Sequence, residues 1–163
     1  MGINYEIYSK ENITDEIRHV FAELLKLQGK VQGDLLGKAD RCNLLCVTKD
    51  NSKVIAIGAI KIKTASVFSN RKSGLPELAN DFEWELGYMY TIPQEARKGI
   101  AKKVAQMLVE TFGKGNLMAS TEVTDNPAMV SILEQLGFQR RGKSWKSNIH
   151  GNELGLFLKY GIA

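Results

Sequence analysis

The stretch Phe82-Glu-Trp-Glu-Leu-Gly-Tyr-Met-Tyr-Thr-Ile-Pro-Gln-Glu-Ala-Arg-Lys-Gly-Ile-Ala101 decides the fold. It reads as a strand, a turn marked by Pro93, a loop holding Arg97, Lys98 and Gly99, and a long helix opening near Ile100. Free backbone N–H groups and the positive end of a dipole gather where a helix begins, and here a glycine and two cations stand at that point. The pattern points to a phosphorylated ligand, with chemistry on the strand just before it. It is not a dinucleotide fingerprint, because Gly99 alone occupies the turn, and no Gly-Lys-Ser or Gly-Lys-Thr marks a P-loop.

Working outward, Ile3–Tyr8 alternates as a first strand. Thr14 or Asp15 caps a helix whose apolar Ile17, Val20, Phe21, Leu24, Leu25 and Leu27 fall mostly on one side, with Gly29 ending it. Residues 31–39 predict a short second helix, its Val31, Leu35 and Leu36 facing a groove or simply packing. Two strands follow, 43–48 and 53–64, joined by Lys49-Asp-Asn-Ser. The alternation of Ile55, Ile57, Ile60 and Ile62 shifts once, which a bulge at Gly58 explains. Residues 65–81 lack periodicity and read as a long loop, a candidate lid or substrate rim. A helix to Phe112 buries Ile100, Val104, Met107, Leu108 and Phe112. A strand over 116–123, a helix over 127–136 and two strands near 138–145 and 153–160 complete the chain. The expectation is one α/β domain over residues 1–163, a mixed, mostly antiparallel central sheet flanked by helices on both faces.

The 163 residues are 44% hydrophobic and 25% charged, an ordinary globular balance, with a net charge of +4. That excess suits phosphate-bearing ligands, but no Lys/Arg-rich block or basic-aromatic stripe argues for nucleic acid. Cys42 and Cys46 lie four residues apart on one extended segment and read as buried free thiols. No Cys/His spacing supports a metal. No signal peptide, myristoylation motif or membrane-length apolar run is seen, so the expectation is a cytoplasmic protein without a membrane partner.

Pro93-Gln-Glu-Ala-Arg-Lys-Gly-Ile-Ala101, with the strand Glu85–Ile92 before it, resembles the acetyl-CoA-binding motif of the GNAT family of N-acetyltransferases. The family pattern is Gln or Arg, two residues, Gly, one residue, then Gly or Ala. Gly99 and Ala101 match it, and Ala96 departs from it. Asn126-Pro-Ala-Met-Val-Ser-Ile-Leu-Glu-Gln-Leu-Gly-Phe138 is similar to the family's closing motif. There Met129 replaces the usual Ala, and Leu133 stands where the family commonly has Tyr.

The resemblance implies an N-acetyltransferase moving acetyl from acetyl-CoA to a primary amine of a small molecule or peptide, by direct attack in a ternary complex. Backbone amides of Arg97, Lys98, Gly99, Ile100 and Ala101 would hold the pyrophosphate. The strand edge at Met89, Tyr90 and Thr91 would pair with the pantetheine amides, as a peptide adds to a sheet, and Asn126 would reach the same arm. Met89 or Tyr90 N–H would face the oxyanion. Glu85 is the leading candidate for the base, with Glu83 second. Leu133 cannot donate a proton, so the general acid is left open. Acid at Glu77, Asp81, Glu83 and Glu85 favours a cationic amine; Phe82, Trp84, Tyr88 and Trp145 either wall its groove or belong to the core. The acceptor itself is open, as is the choice between monomer and homodimer. Ala96 and Leu133 keep an alternative in play, a non-catalytic acyl-CoA-binding sensor or interaction module.

Overall fold

Thr14 turns an extended segment into a helix in the way its side chain permits: Oγ1 accepts a hydrogen bond from Ile17 N at 3.3 Å, satisfying one donor of the first turn. The computed structural model describes residues 2–161; Met1 of the N-terminal motif reading lies outside them. The strands are β1 (Ile3–Ser9), β2 (Cys42–Asp50), β3 (Lys53–Ile62), β4 (Trp84–Thr91), β5 (Leu117–Glu122), β6 (Gln139–Lys146) and β7 (Glu153–Lys159). The helices are α1 (Asp15–Gln28), α2 (Leu35–Lys38), α3 (Ile100–Phe112) and α4 (Pro127–Gln135). The strand order is β1-β2-β3-β4-β5-β7-β6, mostly antiparallel, with β4 and β5 parallel. This is the mixed α/β sheet expected from the sequence.

The chain divides into two units, described in turn. The first comprises residues up to Lys61 together with Leu86–Phe112. Here β1 pairs with β2 from Ile3↔Asp50 to Ser9↔Leu44, and β2 pairs with β3 from Cys42↔Lys61 to Asp50↔Lys53, all antiparallel. The α1 stripe Phe21, Leu24 and Leu25 is buried against Leu45, Ile57 and Ala59, with Tyr88 and Tyr90 packed on the same cluster. On β3, Gly58 alternates with Ile57 and Ala59 and so faces the other way. A Cβ added there would stand 2.6 Å from Met89 Sδ, 2.7 Å from Val104 Cγ1 and 3.1 Å from Leu108 Cδ1. Two helices, α1 and α3, thus cover opposite faces of β3.

The contacts at Gly58 correct the expected bulge. Cys46↔Gly58 is a regular pair, and the register shifts lie at Cys42/Leu44 and Thr48/Lys49 instead. The alternation fails because β3 is buried on both faces from Ile55 to Ile60, and each of those positions is apolar or small. On α3 the buried stripe is Ile100, Val104, Ala105, Leu108 and Val109. Met107 and Phe112 are only half-buried, so the true stripe is rotated from the expected one.

Cys42 and Cys46 are free and buried, on one strand as anticipated. Burial holds both thiols protonated, pushing Cys42 up to about 12 and Cys46 up to about 11 from an ordinary 9.0. In the unfolded chain they ionise first, so the folded state binds more protons above pH ~9. Their contribution to stability is complete below that pH and is lost as pH rises through about 11 and about 12. Urea unfolding midpoints are therefore expected to fall between pH 8 and pH 10.5, and to fall less in a Cys42→Ala, Cys46→Ala double variant. Tyr5 and Tyr8, raised in the same direction mainly by burial, leave a residual slope. An equal slope in the double variant would refute the role given to the thiols.

The second unit comprises Ile62–Glu85 and the residues from Gly113 onward. β5 pairs antiparallel with β7 from Leu117↔Lys159 to Glu122↔Leu154, and β6 lies on the other edge of β7. The segment 65–81, expected to be one long loop, is ordered and partly buried. It forms two 3-10 turns, Ala65–Phe68 and Pro76–Asp81, whose Val67 and Phe68 enter a core with Phe82, Met118, Trp145, Leu156 and Leu158. Phe68 stacks on Phe82 at 6.0 Å, and Phe82 meets Tyr160 edge-on at 5.2 Å. Ser73 O accepts from Lys143 N on β6 at 3.0 Å, which pins the segment further. Periodicity was silent because 3-10 turns bury residues singly rather than in a repeating stripe. Phe82 and Trp145, considered as groove walls, are core residues. Among the described residues no helix is long and apolar enough to cross a membrane.

Candidate functional site

In the first unit the far half of β4 departs from a regular strand. Tyr88 takes φ 55°, a region costly for an aromatic residue. The ring is held there by Phe21, edge-on at 5.5 Å, and by the ammonium of buried Lys61, 5.0 Å above its centroid. Past this irregularity, Ile92 N donates to Ile55 O of β3 at 2.9 Å. Successive residues of a strand turn their N–H and C=O to opposite edges. Tyr90 therefore shares the edge of Ile92, toward β3, while Met89 and Thr91 turn their backbone groups away from it. Met89 O takes its hydrogen bond from a side chain, Gln28 Nε2 at 2.7 Å.

The loop after β4 is built by Pro93. Pro93–Glu95 makes one 3-10 turn, closed by Ala96 N to Pro93 O at 3.2 Å. Arg97 then takes φ 66° and Gly99 φ 80°, two left-handed positions bracketing Lys98. Residues in this conformation next to ordinary ones turn successive N–H groups toward a common centre, an anion-binding concavity. A Cβ at Gly99 would meet nothing within 4 Å, so space above the loop is open. α3 starts immediately: Lys103 N to Gly99 O, at 3.1 Å, belongs to its first turn, which leaves the preceding amides outside the intrahelical ladder. Arg97 and Lys98 are exposed. Lys98 reaches Glu95 at 3.1 Å, its own side chain exposed and that of Glu95 largely covered.

In the second unit, Glu85 is 7% exposed at the start of β4, where Trp84↔Leu117 and Glu85↔Met118 pair with β5. Its Oε1 accepts from Thr64 N at 2.8 Å. Glu83 precedes the strand and is exposed; its backbone carbonyl accepts from Lys63 N at 3.1 Å. The two glutamates thus differ in kind, one fixed and desolvated, the other in water. Asn126 caps α4, its Oδ1 accepting from Met129 N at 3.2 Å, which leaves the amide nitrogen to donate. Leu133 is fully buried, with its carbonyl accepting from Phe138 N at 3.0 Å. Among the described residues no group of three His, Cys, Asp or Glu side chains is placed to hold a metal ion.

Two features of the site leave little or no trace in the sequence. Tyr88 carries no sign of its positive φ, since tertiary contacts impose it. Gln28 had one available signal: it lies four residues after Leu24 and three after Leu25, on the buried face of α1, where a polar side chain needs a partner.

Residues 5–138 match the acetyltransferase (GNAT) family profile. The chain belongs to this family. Among solved structures it is similar to the IAA acetyltransferase from Bacillus cereus ATCC 14579, with 16% identity over 97% of this chain and 99% of that one at a TM-score of 0.63. It is similar to Arabidopsis thaliana NAA60 in complex with a bisubstrate analogue, at 12% identity, 98% of both chains and TM-score 0.66. A third is yncA from Salmonella typhimurium with its cofactor acetyl-CoA, at 13% identity, 98% of this chain, 94% of that one and TM-score 0.64. At such identities these likenesses speak for the fold. No curated protein sequence matches it significantly.

Proposed function

We propose that the protein transfers an acetyl group from acetyl-CoA to a primary amine of a small molecule or peptide, by direct attack within a ternary complex. The observation that carries this reading is the paired left-handed backbone of Arg97 and Gly99 at the start of α3, with open space above Gly99. Amides from Arg97 to Ala101 receive the pyrophosphate, and the exposed Arg97 and Lys98 add charge. Thr91 offers its backbone N–H and C=O to the pantetheine arm, and Met89 O, which already accepts from Gln28 Nε2, has one further lone pair for it. Between Met89 and Tyr90 as oxyanion donor, the edge assignment favours Met89, because Tyr90 N–H turns toward β3. Asn126 Nδ2 is assigned to the pantetheine arm on the family resemblance.

The amine nitrogen forms a bond to the thioester carbon as the C–S bond breaks. Glu85 takes the proton released from nitrogen, and the departing thiolate ends as the CoA thiol. Glu83 is the weaker candidate, being exposed. Leu133 leaves the thiolate without a tyrosine donor, so water supplies that proton; a thiolate is stable enough to leave unprotonated. The complete burial of Leu133 also favours a second reading, an acyl-CoA-binding sensor without efficient transfer. Calorimetric titration with acetyl-CoA, against CoA, NAD and ATP, tests the shared premise: selective binding of acetyl-CoA and CoA is expected. An amine panel with thiol-release detection then separates the readings. Release above background supports transfer, background rates with tight binding support the sensor, and no acetyl-CoA binding refutes both.

A further inference from the structure

β1 is an edge strand, and its outer side is assigned residue by residue from one hydrogen bond. Asn51 N donates to Gly2 O at 3.5 Å, so Gly2 turns its backbone groups toward β2. The β1–β2 register then runs without a shift from Ile3↔Asp50 to Ser9↔Leu44. Successive residues alternate edges, so Asn4, Glu6 and Tyr8 bond to β2, while Ile3, Tyr5 and Ile7 turn N–H and C=O outward. Carried through β2 and β3, the same alternation puts Ile55 O on the side of β4, where it accepts from Ile92 N at 2.9 Å. Among the described residues no strand pairs with the outer side of β1, and no backbone group from elsewhere bonds to it.

A bare edge is a ready template for another chain, and proteins commonly protect against that. In the second unit the edge strand β6 is protected. It carries Arg140, Arg141, Lys143 and Lys146, and a left-handed Gly142 at a register shift. The segment 65–81 also covers it, Ser73 O accepting from Lys143 N at 3.0 Å. β1 has no lysine, no proline and no register shift, and Glu6 is its single charge. Its outward-bonding residues are apolar or aromatic, with Ile3 39% exposed and Tyr5 and Ile7 half-buried.

We propose that β1 is a self-association edge, onto which a second copy of this chain adds its own β1, antiparallel, about a twofold axis at Tyr5. The proposal is independent of whether the acyl-CoA site transfers or only binds. The register follows from the side chains. With the axis at Tyr5, Ile3 faces Ile7 of the second copy and Tyr5 faces Tyr5. These are the outward-bonding residues, so each such pair exchanges both N–H···O bonds. Asn4 then faces Glu6, an amide beside a carboxylate. Aromatic, β-branched and polar pairs set opposite each other in this way stabilise a sheet. An axis at Glu6 would instead oppose two carboxylates, which disfavours that register. One strand pair buries little area for a dimer, so association is expected to depend on concentration.

Analytical ultracentrifugation across a range of protein concentrations tests this. Wild type is expected to sediment as a dimer at the upper end and to dissociate on dilution. Tyr5→Lys sets two ammonium groups against each other at the axis and is expected to weaken the dimer by roughly a hundred-fold or more. Tyr5→Glu should do the same, and an equimolar mixture of the two variants should recover a heterodimer. A wild type that is monomeric throughout overturns the proposal, as does a dimer that survives both charged variants. A mixture that stays monomeric overturns the Tyr5 axis. Should the variants fail to fold, amide hydrogen exchange in the wild type decides. Tyr5 and Ile7 N–H are expected to exchange slowly at dimer concentrations and faster on dilution, while Glu6 and Tyr8 N–H stay protected by β2. Fast exchange at Tyr5 at every concentration overturns the pairing.

Discussion

Replacing Gly99 by valine is expected to weaken acetyl-CoA binding by roughly a hundred-fold while leaving the protein folded, because the lost contacts are hydrogen bonds to a charged group, each worth about 1.5–3 kcal/mol. The reasoning begins with φ. Gly99 sits at 80°, where a β-branched residue is a severe outlier, so the loop must change course to accept valine. Nothing lies within 4 Å of the added Cβ, so the damage comes through backbone direction and not through a clash with the core. The amides from Arg97 to Ala101 would then no longer converge. Stability should suffer less: relinquishing one left-handed position costs about 1–2 kcal/mol, roughly 2–8 °C of melting temperature at this chain length. Gly99→Asn separates conformation from bulk, since asparagine tolerates a left-handed backbone. It should retain more affinity than valine. If calorimetry finds wild-type affinity in the valine variant, the phosphate loop has been placed wrongly.

Why this loop was legible, and the groups around it less so, follows from where the information resides. A strand, a proline, a basic loop with glycine and an amphipathic helix are local features, and each leaves a mark within twenty residues. The caps of α1 were legible for the same reason: Thr14 and Gly29 act on their own helix ends. Gly58 misled because a glycine in a strand has two explanations, a bulge or a close neighbour, and the neighbours Met89 and Val104 are more than thirty residues away. Gln28 and Met89 are 61 residues apart, so no spacing rule joins them. Tyr88 was noticed only as an aromatic. Its backbone is bent by Phe21 and Lys61, both distant in sequence. Family resemblance supplied the roles of Glu85 and Asn126, but it was silent on burial, which separates Glu85 from Glu83.

That separation yields the other large effect. Glu85→Gln is expected to lower kcat by about 10²–10⁴, the range a general base contributes, with acetyl-CoA affinity unchanged. Glutamine suits the position structurally: it keeps an oxygen for Thr64 N–H, now 2.8 Å from Oε1, so the variant should fold. What it cannot do is take a proton from nitrogen. Glu83→Gln is the internal comparison. An exposed carboxylate ahead of the strand contributes at most through long-range charge, screened by solvent, so activity should stay within about two-fold. The paired result discriminates among three cases. Loss in Glu85→Gln with activity in Glu83→Gln assigns the base to Glu85. The reverse pattern moves the role to Glu83, and with it the demand that an exposed group become ordered when substrate binds. Full activity in both variants removes the carboxylates from the chemistry. Proton transfer would then pass through water, whose access to the amine would have to be found along β4, beginning with the edge at Met89.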